Sequence, residues 1–499
     1  MAPTRAKIVA TVGPASESGE TICRLIEAGV SVFRLNFSHG TAESHAERVR
    51  TIRGASERLG RSVAILGDLP GPKIRVGVLE RGVEVAPGDD VWLVGEGEER
   101  PEGLALPTTY ALLAREVLPG QRVLIADGMI RLLAIEREGE ALRCRVTVGG
   151  TITSGKGINV PECELSAPAL GERDWAYVDW AIAHDLDFLA MSFVRRAEEV
   201  RELREHLARV CPLDGARDAV AWGACIPVVA KIEKPQALDR LDEIVREADA
   251  IMVARGDLGV EMDVARVPIA QKRIIESAAR WGKPCIVATQ MLESMTQSVT
   301  PTRAEASDVA NAVLDGADGV MLSGETATGE HPVLVVETMR RIVAAAEDLA
   351  LGATRAPSPP EGLREARDPV AAIGHGAWHV AQDVGAAAVV CWSENGGTAR
   401  LLSQNAFAAP IFAYSSSERM TRRMALFSGV TAIREAPPAR GSFGAWVRSV
   451  EGMLVSRGLA ARGDRVVLVA GKPLGRPRSA SAIVIHEIGR DDAWAGGPV

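Results

Sequence analysis

Eight short apolar runs lie along residues 7–326, and each is followed by a polar or glycine-rich loop and usually by an amphipathic helical pattern. Apolar strands that alternate with helices indicate parallel strand pairing. Eight such units in sequence predict an α/β fold built on a closed (β/α)8 TIM barrel. The runs are KIVATVG (7–13), SVFRLNFSHG (31–40), SVAILGDLPG (62–71), DFLAMSFV (187–194), PVVAKIE (227–233), AIMVARGDLG (250–259), PCIVATQM (284–291) and GVMLSGET (319–326).

The interval between the third and fourth runs is too long for a loop. It contains short β runs separated by glycine, proline and acidic turns, so we predict an inserted all-β domain that could act as a lid. A stretch rich in proline and charge follows residue 350, and the apolar runs beyond it predict an α/β domain with a mostly parallel sheet. The expected boundaries are 1–70 and 167–350 for the barrel, 71–166 for the lid and 351–499 for the C-terminal domain.

Composition narrows the classes of partner. The formal net charge is −8, so no global basic field attracts nucleic acid or an anionic membrane. Local cations must therefore meet any anionic substrate. No apolar run approaches the roughly 20 residues of a membrane span. The seven cysteines are scattered without a CxxC pair, which indicates reduced thiols in a cytoplasm and neither a disulfide framework nor a zinc site.

Polar and charged side chains gather where the predicted strands end. Barrel enzymes keep their active sites at this carboxyl end, so these residues are expected to share one mouth. The second strand ends with Arg34, Asn36 and Ser38, the third with Asp68, Lys73 and Arg75, the fifth with Lys231 and Glu233, the sixth with Arg255 to Asp257, the seventh with Thr289, and the eighth with Ser323 and Glu325.

Glu233 and Asp257 end adjacent strands and could share one hard divalent ion such as Mg²⁺. Lys231 lies on the same side of its strand as Glu233 and would face whatever that ion binds. A phosphoryl group held between cations and a metal suits this arrangement, because its transfer depends on positioning and charge neutralisation. The surrounding cations are Arg34, Lys73, Arg75 and Lys231.

Each of these residues has a structural reading when it is taken alone. Lys231 and Glu233 could form a salt bridge at the end of a barrel strand, and Thr289 or Ser323 could cap a helix. Their joint position at one mouth favours the catalytic interpretation.

Six motifs resemble those of one family. RLNFSHG, GDLPGPKIR, AKIEKPQAL, MVARGDLGVE, ATQMLESM and MLSGETATG are similar, in order and spacing, to the successive barrel motifs of pyruvate kinases. The resemblance covers nearly the full length. It implies a glycolytic kinase that transfers a phosphoryl group from phosphoenolpyruvate to ADP, giving pyruvate and ATP, usually as an allosteric homotetramer.

The resemblance also implies roles for single residues. Glu233 and Asp257 would hold Mg²⁺, or Mn²⁺ in its place, and Lys231 would neutralise the transferring phosphoryl group and the enolate. Gly256, Asp257 and Thr289 would seat the substrate carboxylate, with protonation through water near Thr289 and Ser323. Phosphate and nucleotide contacts would come from Arg34, Arg75, His39, Lys156, Thr11 and Pro14.

One departure concerns potassium. Many members carry glutamate at the position of Lys73 and bind K⁺ through residues that match Asn36, Ser38 and Asp68, with a threonine where this chain has Leu69. A lysine ammonium can take the place of a monovalent cation, so the resemblance implies activity without K⁺. The alternative is that Lys73 is a solvated charge at the lid hinge.

The C-terminal domain leaves alternatives open. SENGGTARLL resembles the loop where phosphorylated effectors bind in the family, and it supplies Ser393, Asn395, Gly396, Gly397 and Thr398. The segment GRPRSASAIVIHEIG departs from the family pattern, so a purely structural loop is an equal alternative. For the whole chain, the alternatives are another phosphoenolpyruvate or enolate barrel enzyme and an inactive barrel that senses sugar phosphates. The lid, the C-terminal domain and the intact set of Lys231, Glu233, Asp257 and Thr289 argue against both.

Overall fold

The computed structural model describes residues 4–99, 101–211, 225–351, 360–471, 474–475 and 480–490.

The first segment of the barrel contains three strands and two helices. The first helix begins after Ser18, whose side chain accepts the Thr21 backbone N–H, and it ends at Gly29, whose φ of +126° is a conformation that favours glycine. The elements are β1 (Lys7–Thr11), α1 (Gly19–Ala28), β2 (Val30–Asn36), α2 (Ala42–Leu59) and β3 (Ala64–Asp68).

The inserted domain follows β3 and consists mainly of β structure. Its strands form a two-stranded sheet and a six-stranded sheet that encloses its own apolar core, including Val91, Leu93 and Leu142. The elements are β4 (Val83–Val85), β5 (Asp90–Gly95), β6 (Ala105–Thr108), α3 (Leu113–Glu116), β7 (Arg122–Ile125), β8 (Ile130–Glu138), β9 (Ala141–Val148), β10 (Gly150–Ile152) and β11 (Ile158–Asn159).

The second segment of the barrel supplies five strands. They are interleaved with helices as α4 (Glu172–Ala183), β12 (Phe188–Met191), α5 (Ala197–Val210), β13 (Val228–Ile232), α6 (Pro235–Asp239), α7 (Leu241–Glu247), β14 (Ala250–Ala254), α8 (Arg255–Glu261), α9 (Val267–Arg280), β15 (Cys285–Ala288), α10 (Arg303–Leu314), β16 (Gly319–Leu322), α11 (Gly324–Ala327) and α12 (Pro332–Leu351). The closed order β1-β16-β15-β14-β13-β12-β3-β2 has only parallel neighbours, which confirms the predicted barrel.

The barrel is filled by alternate side chains of its strands. Val9, Val32, Leu66 and Val229 are fully buried in one cluster, while their neighbours along each strand pack against the surrounding helices. Each barrel strand ends before the last residues of the apolar run that predicted it, so those last residues form loops or the first turns of helices at the mouth.

The C-terminal domain is an α/β unit with a five-stranded sheet. The order β19-β18-β17-β20-β21 is parallel except for the last pair, as the sequence predicted. Its elements are α13 (Glu361–Glu365), α14 (Pro369–Asp383), β17 (Ala388–Trp392), α15 (Gly397–Ser403), β18 (Ile411–Ser415), α16 (Glu418–Arg423), β19 (Val430–Arg434), α17 (Phe443–Ser456), β20 (Arg465–Gly471) and β21 (Ala480–Glu487).

An ion cluster joins this domain to the barrel. Asp187 directly precedes β12, so the cluster lies at the amino end of the strands, opposite the mouth. Arg422 of α16 donates its Nε to Asp187 at 2.8 Å, and Arg419 donates to Asp185 at 2.8 Å. Arg53 of α2 donates to the second oxygen of Asp187 at 2.8 Å. Among the described helices, none has the length and apolar character to cross a membrane.

Candidate active site

Lys231 lies in the mouth because side chains alternate along β13. Val229 faces the barrel interior, so Lys231, two residues on, faces the same side at the carboxyl end. Its ammonium is 3.1 Å from the Asp68 carboxylate and 2.9 Å from Glu233 Oε1, and it donates to Ser192 Oγ at 2.8 Å. Burial opposes the charge, yet Asp68 and Glu233 outweigh it and raise the pKa of Lys231. The ammonium is therefore a fixed positive charge.

Only one of the two carboxylate oxygens of Glu233 accepts a well-aligned hydrogen bond among the described residues. Its Oε2 accepts the Phe193 backbone N–H at 2.7 Å. Its Oε1 faces the ammonium but accepts no aligned hydrogen bond within the described part of the chain. Burial is the main cause that raises the pKa of Glu233 to about 7, against the effect of Lys231 and with a further contribution from the negative charge of Asp257. Lys231 divides its charge between two carboxylates, which leaves Glu233 under-compensated.

The carboxylates of Glu233 and Asp257 fit a magnesium ion. Asp257 lies in the first turn of α8, directly beyond β14, which pairs with β13. No group of three or more His, Cys, Asp or Glu side chains surrounds a common point among the described residues. Mg²⁺ commonly binds one or two carboxylates and completes its shell with water and substrate oxygens. Two acids with one unsatisfied oxygen suit that ion.

Arg34 joins β2 to the same cluster. Its Nε donates to Asp68 Oδ2 at 2.6 Å, and a terminal nitrogen donates to Thr11 Oγ1 at 3.1 Å. Burial would raise the pKa of Asp68, but the cations Lys231 and Arg34 outweigh burial and lower it. Asp68 is thus an ionised carboxylate that holds both cations in place.

Thr289 follows β15 in a strained conformation. Its φ is +70°, and that of Gln290 is +54°, a region that β-branched residues rarely adopt. The Gly256 N–H donates to Thr289 Oγ1 at 2.7 Å, and Arg255 donates to the Thr289 carbonyl at 2.7 Å. These bonds hold the hydroxyl beside the first turn of α8, and such held strain is typical of functional sites.

Ser323 follows β16 at the same mouth. Its backbone N–H donates to Glu325 Oε2 at 2.6 Å, whereas its own hydroxyl is buried without a partner among the described residues. The hydroxyl is therefore available to a bound molecule or to water.

Two residues of this site were missed in the sequence. Ser192 donates to the Leu69 carbonyl at 2.7 Å while it accepts from Lys231, and Phe193 supplies the N–H that binds Glu233. Both directly follow β12. The rule that polar groups gather where barrel strands end would have selected Ser192, but a phenylalanine backbone N–H leaves no signal in side-chain chemistry.

Comparison with known proteins identifies the family of this chain. A family model described as the pyruvate kinase barrel domain matches residues 3–336, and one for the pyruvate kinase alpha/beta domain matches residues 371–486. This chain belongs to the pyruvate kinase family. It is accordingly a phosphotransferase, as the sequence motifs implied.

Sequence similarity to known pyruvate kinases extends over nearly the whole chain. The pyruvate kinase of Mycobacterium intracellulare is 42% identical over 98% of this chain and 99% of its own length. That of Corynebacterium glutamicum is 39% identical over 98% of each chain. A crystal structure of a pyruvate kinase from Cryptosporidium parvum superposes with a TM-score of 0.86 at 32% identity, covering 97% of this chain and 96% of that one.

The residues considered for potassium are separated in the structure. Lys73 lies beside the lid, with its ammonium 3.7 Å from Asp127 Oδ1, whereas Asp68 binds Arg34 and Lys231. Lys73 borders a cavity of about 40 Å³ between the lid and the barrel. Leu69 is buried in the barrel core and offers no side-chain oxygen. Elsewhere in this set, Asn36 Oδ1 accepts the Ser38 backbone N–H at 3.1 Å.

The residues considered for nucleotide contacts are spread along the rim. Thr11 lies within the cluster through its bond to Arg34. Arg75 and Lys156 are exposed in neighbouring loop segments of the lid, where Arg75 forms an isolated bridge with Gly157 and donates to the Gly155 carbonyl at 2.8 Å. Pro14 and His39 are exposed on the barrel side, in loops that follow β1 and β2. Of these residues, the structure brings Thr11 into contact with Arg34 of the cluster at the mouth.

The loop considered for an effector already contains an anion. The Glu394 carboxylate accepts from Trp392 Nε1 at 3.0 Å, from the Ser416 N–H at 3.3 Å and from the Ser416 hydroxyl. Ser393 is buried and caps the Ala399 N–H at 3.1 Å. Asn395, Gly396, Gly397 and Thr398 complete the turn into α15, with Gly396 at φ +75°.

Proposed function

We propose that this chain transfers the phosphoryl group of phosphoenolpyruvate to ADP, with Mg²⁺ held by Glu233 and Asp257. The observation that carries the proposal is the buried ammonium of Lys231, fixed by Asp68, Glu233 and Ser192 at the mouth of the barrel. A preorganised cation in a dry site stabilises charge that develops during transfer far better than a solvated one. The names of the relatives support the same reaction.

The side chains divide the work of such a transfer. Lys231 and Arg34 would face the phosphoryl oxygens, because Asp68 holds both cations towards one point. The backbone at Gly256 with the Thr289 hydroxyl would orient the substrate carboxylate. When bound, Mg²⁺ supplies Lewis-acid polarisation of the substrate oxygens.

Protonation of the enolate left after transfer requires a separate route. Thr289 and Ser323 lie at the ends of adjacent strands, and the Ser323 hydroxyl has no partner in the described part of the chain. We infer that these hydroxyls position the water that delivers the proton to the enolate carbon.

Activity without K⁺ is part of the proposal. Its support is the lysine of the GPKIR motif and the apolar Leu69, which removes one oxygen ligand. In the structure the Lys73 ammonium faces Asp127, but Lys73 is 29% and Asp127 70% exposed. Such a surface pair contributes roughly 0–1 kcal/mol, so Lys73 can turn towards Asp68 and Asn36 at little cost.

The remaining expectations are also proposals. We propose a cytoplasmic homotetramer without nucleic-acid or membrane partners, and the seven free thiols support a reducing compartment. The Glu394 carboxylate of the loop at residues 393–398 already accepts hydrogen bonds from Trp392 and Ser416, so an effector phosphate that used these donors would have to displace it.

A direct assay tests the central proposal. Purified protein is given phosphoenolpyruvate, ADP and Mg²⁺, and pyruvate is measured with a coupled dehydrogenase. We expect turnover that Lys231→Gln lowers by about 10²–10³-fold, the usual effect of removing a fixed transition-state donor. Lys272→Gln, in a surface pair with Asp315, is the matched control and should keep full activity. Deuterium exchange into the pyruvate methyl group separates protonation of the enolate from phosphoryl transfer. Ser323→Ala should slow this exchange more than it slows phosphoryl transfer. Absence of ADP-dependent pyruvate from the folded protein would refute the proposal.

A further inference from the structure

Two cysteines meet on the side of the barrel, away from the catalytic cluster. Cys211 ends α5, and Cys225 lies three residues before β13. The Cys225 sulfur is 3.7 Å from the Leu207 carbonyl and 3.9 Å from the Cys211 carbonyl. The Cys211 thiol is also near enough to the Cys225 thiol to contribute to its raised pKa. We propose that Cys211 and Cys225 form a reversible intramolecular disulfide and constitute a redox modification site.

The pairing is specific to these two positions. Both thiols are free and partly exposed, so a small oxidant can reach them. Within the described residues, no hydrogen bond joins any other two cysteines. The remaining five lie in separate elements: Cys23 in α1, Cys144 in β9, Cys163 beyond β11, Cys285 in β15 and Cys391 in β17.

The chemistry is thiol–disulfide exchange with a small-molecule disulfide such as oxidised glutathione. Burial is the main cause that raises the pKa of Cys225, with Cys211 adding to it, which disfavours the Cys225 thiolate, so we assign the first attack to Cys211. Its thiolate attacks one sulfur of the small disulfide and releases one thiol. Cys225 then attacks the Cys211 sulfur of the mixed disulfide, and the second small thiol leaves with the proton. Two protein thiols are oxidised and one small disulfide is reduced to two thiols.

The bridge would tie the end of α5 to the start of β13. That strand carries Lys231, so the modification acts on the backbone that leads to the catalytic cation. A disulfide in this place is compatible with reduced thiols elsewhere, because both cysteines are partly exposed and exposed disulfides are typically the labile, regulatory ones. The disulfide can form whether or not the chain catalyses the proposed reaction.

Peptide mapping of the full chain tests the proposal. The folded protein is incubated with oxidised glutathione, quenched in acid, alkylated and digested with trypsin without reductant. We expect the peptide 210–217 to be joined to the peptide 218–231, lighter by two hydrogen atoms than the two reduced peptides together. Thiols titrated after denaturation should fall from seven to five, and dithiothreitol should restore them.

Controls separate native proximity from general thiol reactivity. Cys163→Ser should form the cross-link as the unmodified chain does, whereas Cys211→Ser and Cys225→Ser should each abolish it. Cross-linking should also be at least tenfold faster in the folded protein than in urea. Stable glutathione adducts at Cys211 or Cys225 without the joined peptides, or equal rates with and without urea, would overturn the proposal.

Discussion

Competition between a proton and a divalent ion at Glu233 gives the most direct test of the metal site. Burial raises the pKa of Glu233 to about 7, and a carboxylate must lose its proton before it binds a metal. With that pKa, about nine tenths of the free sites are protonated at pH 6 and about one tenth at pH 8. The apparent dissociation constant for the ion should therefore rise about tenfold as the pH falls from 8 to 6.

Calorimetry measures this coupling. Mn²⁺, which prefers the same oxygen ligands as Mg²⁺, is titrated into the substrate-free protein at several pH values and in two buffers with different ionisation enthalpies. We expect close to one proton released per ion at pH 6 and almost none at pH 8. Glu233→Gln should remove the proton release, whereas Asp127→Asn, a change in an exposed lid residue, should leave it unchanged. An affinity that stays constant between pH 6 and 8 would refute the assignment of Glu233 as a ligand.

Three further predictions concern potassium, the domain contact and acid stability. Turnover should change less than about twofold when K⁺ is replaced by tetramethylammonium, because Lys73 supplies the positive charge that K⁺ would otherwise supply. Lys73→Glu should create a K⁺ requirement, and a strict K⁺ requirement in the unmodified chain would contradict this prediction. Asp187→Asn should lower the free energy of unfolding by roughly 1.5–3 kcal/mol in urea, since it removes the fully buried charge that Arg53 and Arg422 share, while Arg422 keeps its ion pair with Asp185. Glu418→Gln on the exposed side of the cluster should cost less than about 1 kcal/mol. Burial is the main cause that lowers the pKa of His45 to about 4. Because the ring gains its proton near pH 6.5 in the unfolded chain, stability that is present above that pH should be lost towards pH 4, by up to about 3 kcal/mol. His45→Gln should make the urea midpoint depend less on pH over this range.

The barrel could be predicted because its signals are local. Each strand is a short apolar run, and the side-chain period of two fixed which residues face inward. That period placed Lys231 and Glu233 on one side of their strand before any contact was known. The position of Asp257 followed from the parallel order of neighbouring strands, although the residue belongs to the first turn of α8 and not to the strand itself.

Contacts between distant elements could not be read in the same way. The sequence suggested that Lys73 belongs with Asp68, but the structure places its ammonium beside Asp127, because the direction of a long side chain depends on how the lid packs. The cluster of Asp187 and Arg422 joins two domains whose relative placement has no local signature. Likewise, the left-handed backbone at Thr289 depends on Arg255 from the neighbouring strand end.

The charges at the mouth give one physical reason to expect that protons and a divalent ion compete for the same site. Lys231 and Arg34 contribute two positive charges, whereas Asp68, Glu233 and Asp257 contribute three negative charges when all are ionised. Burial makes this imbalance costly, because few water molecules screen it. A proton on Glu233 corrects the imbalance in the empty site, and a divalent ion reverses it, which creates the net positive field that an anionic phosphoryl donor needs. Besides burial, the excess of carboxylate raises the pKa of Glu233, and the same excess would favour the divalent ion that we propose for this site.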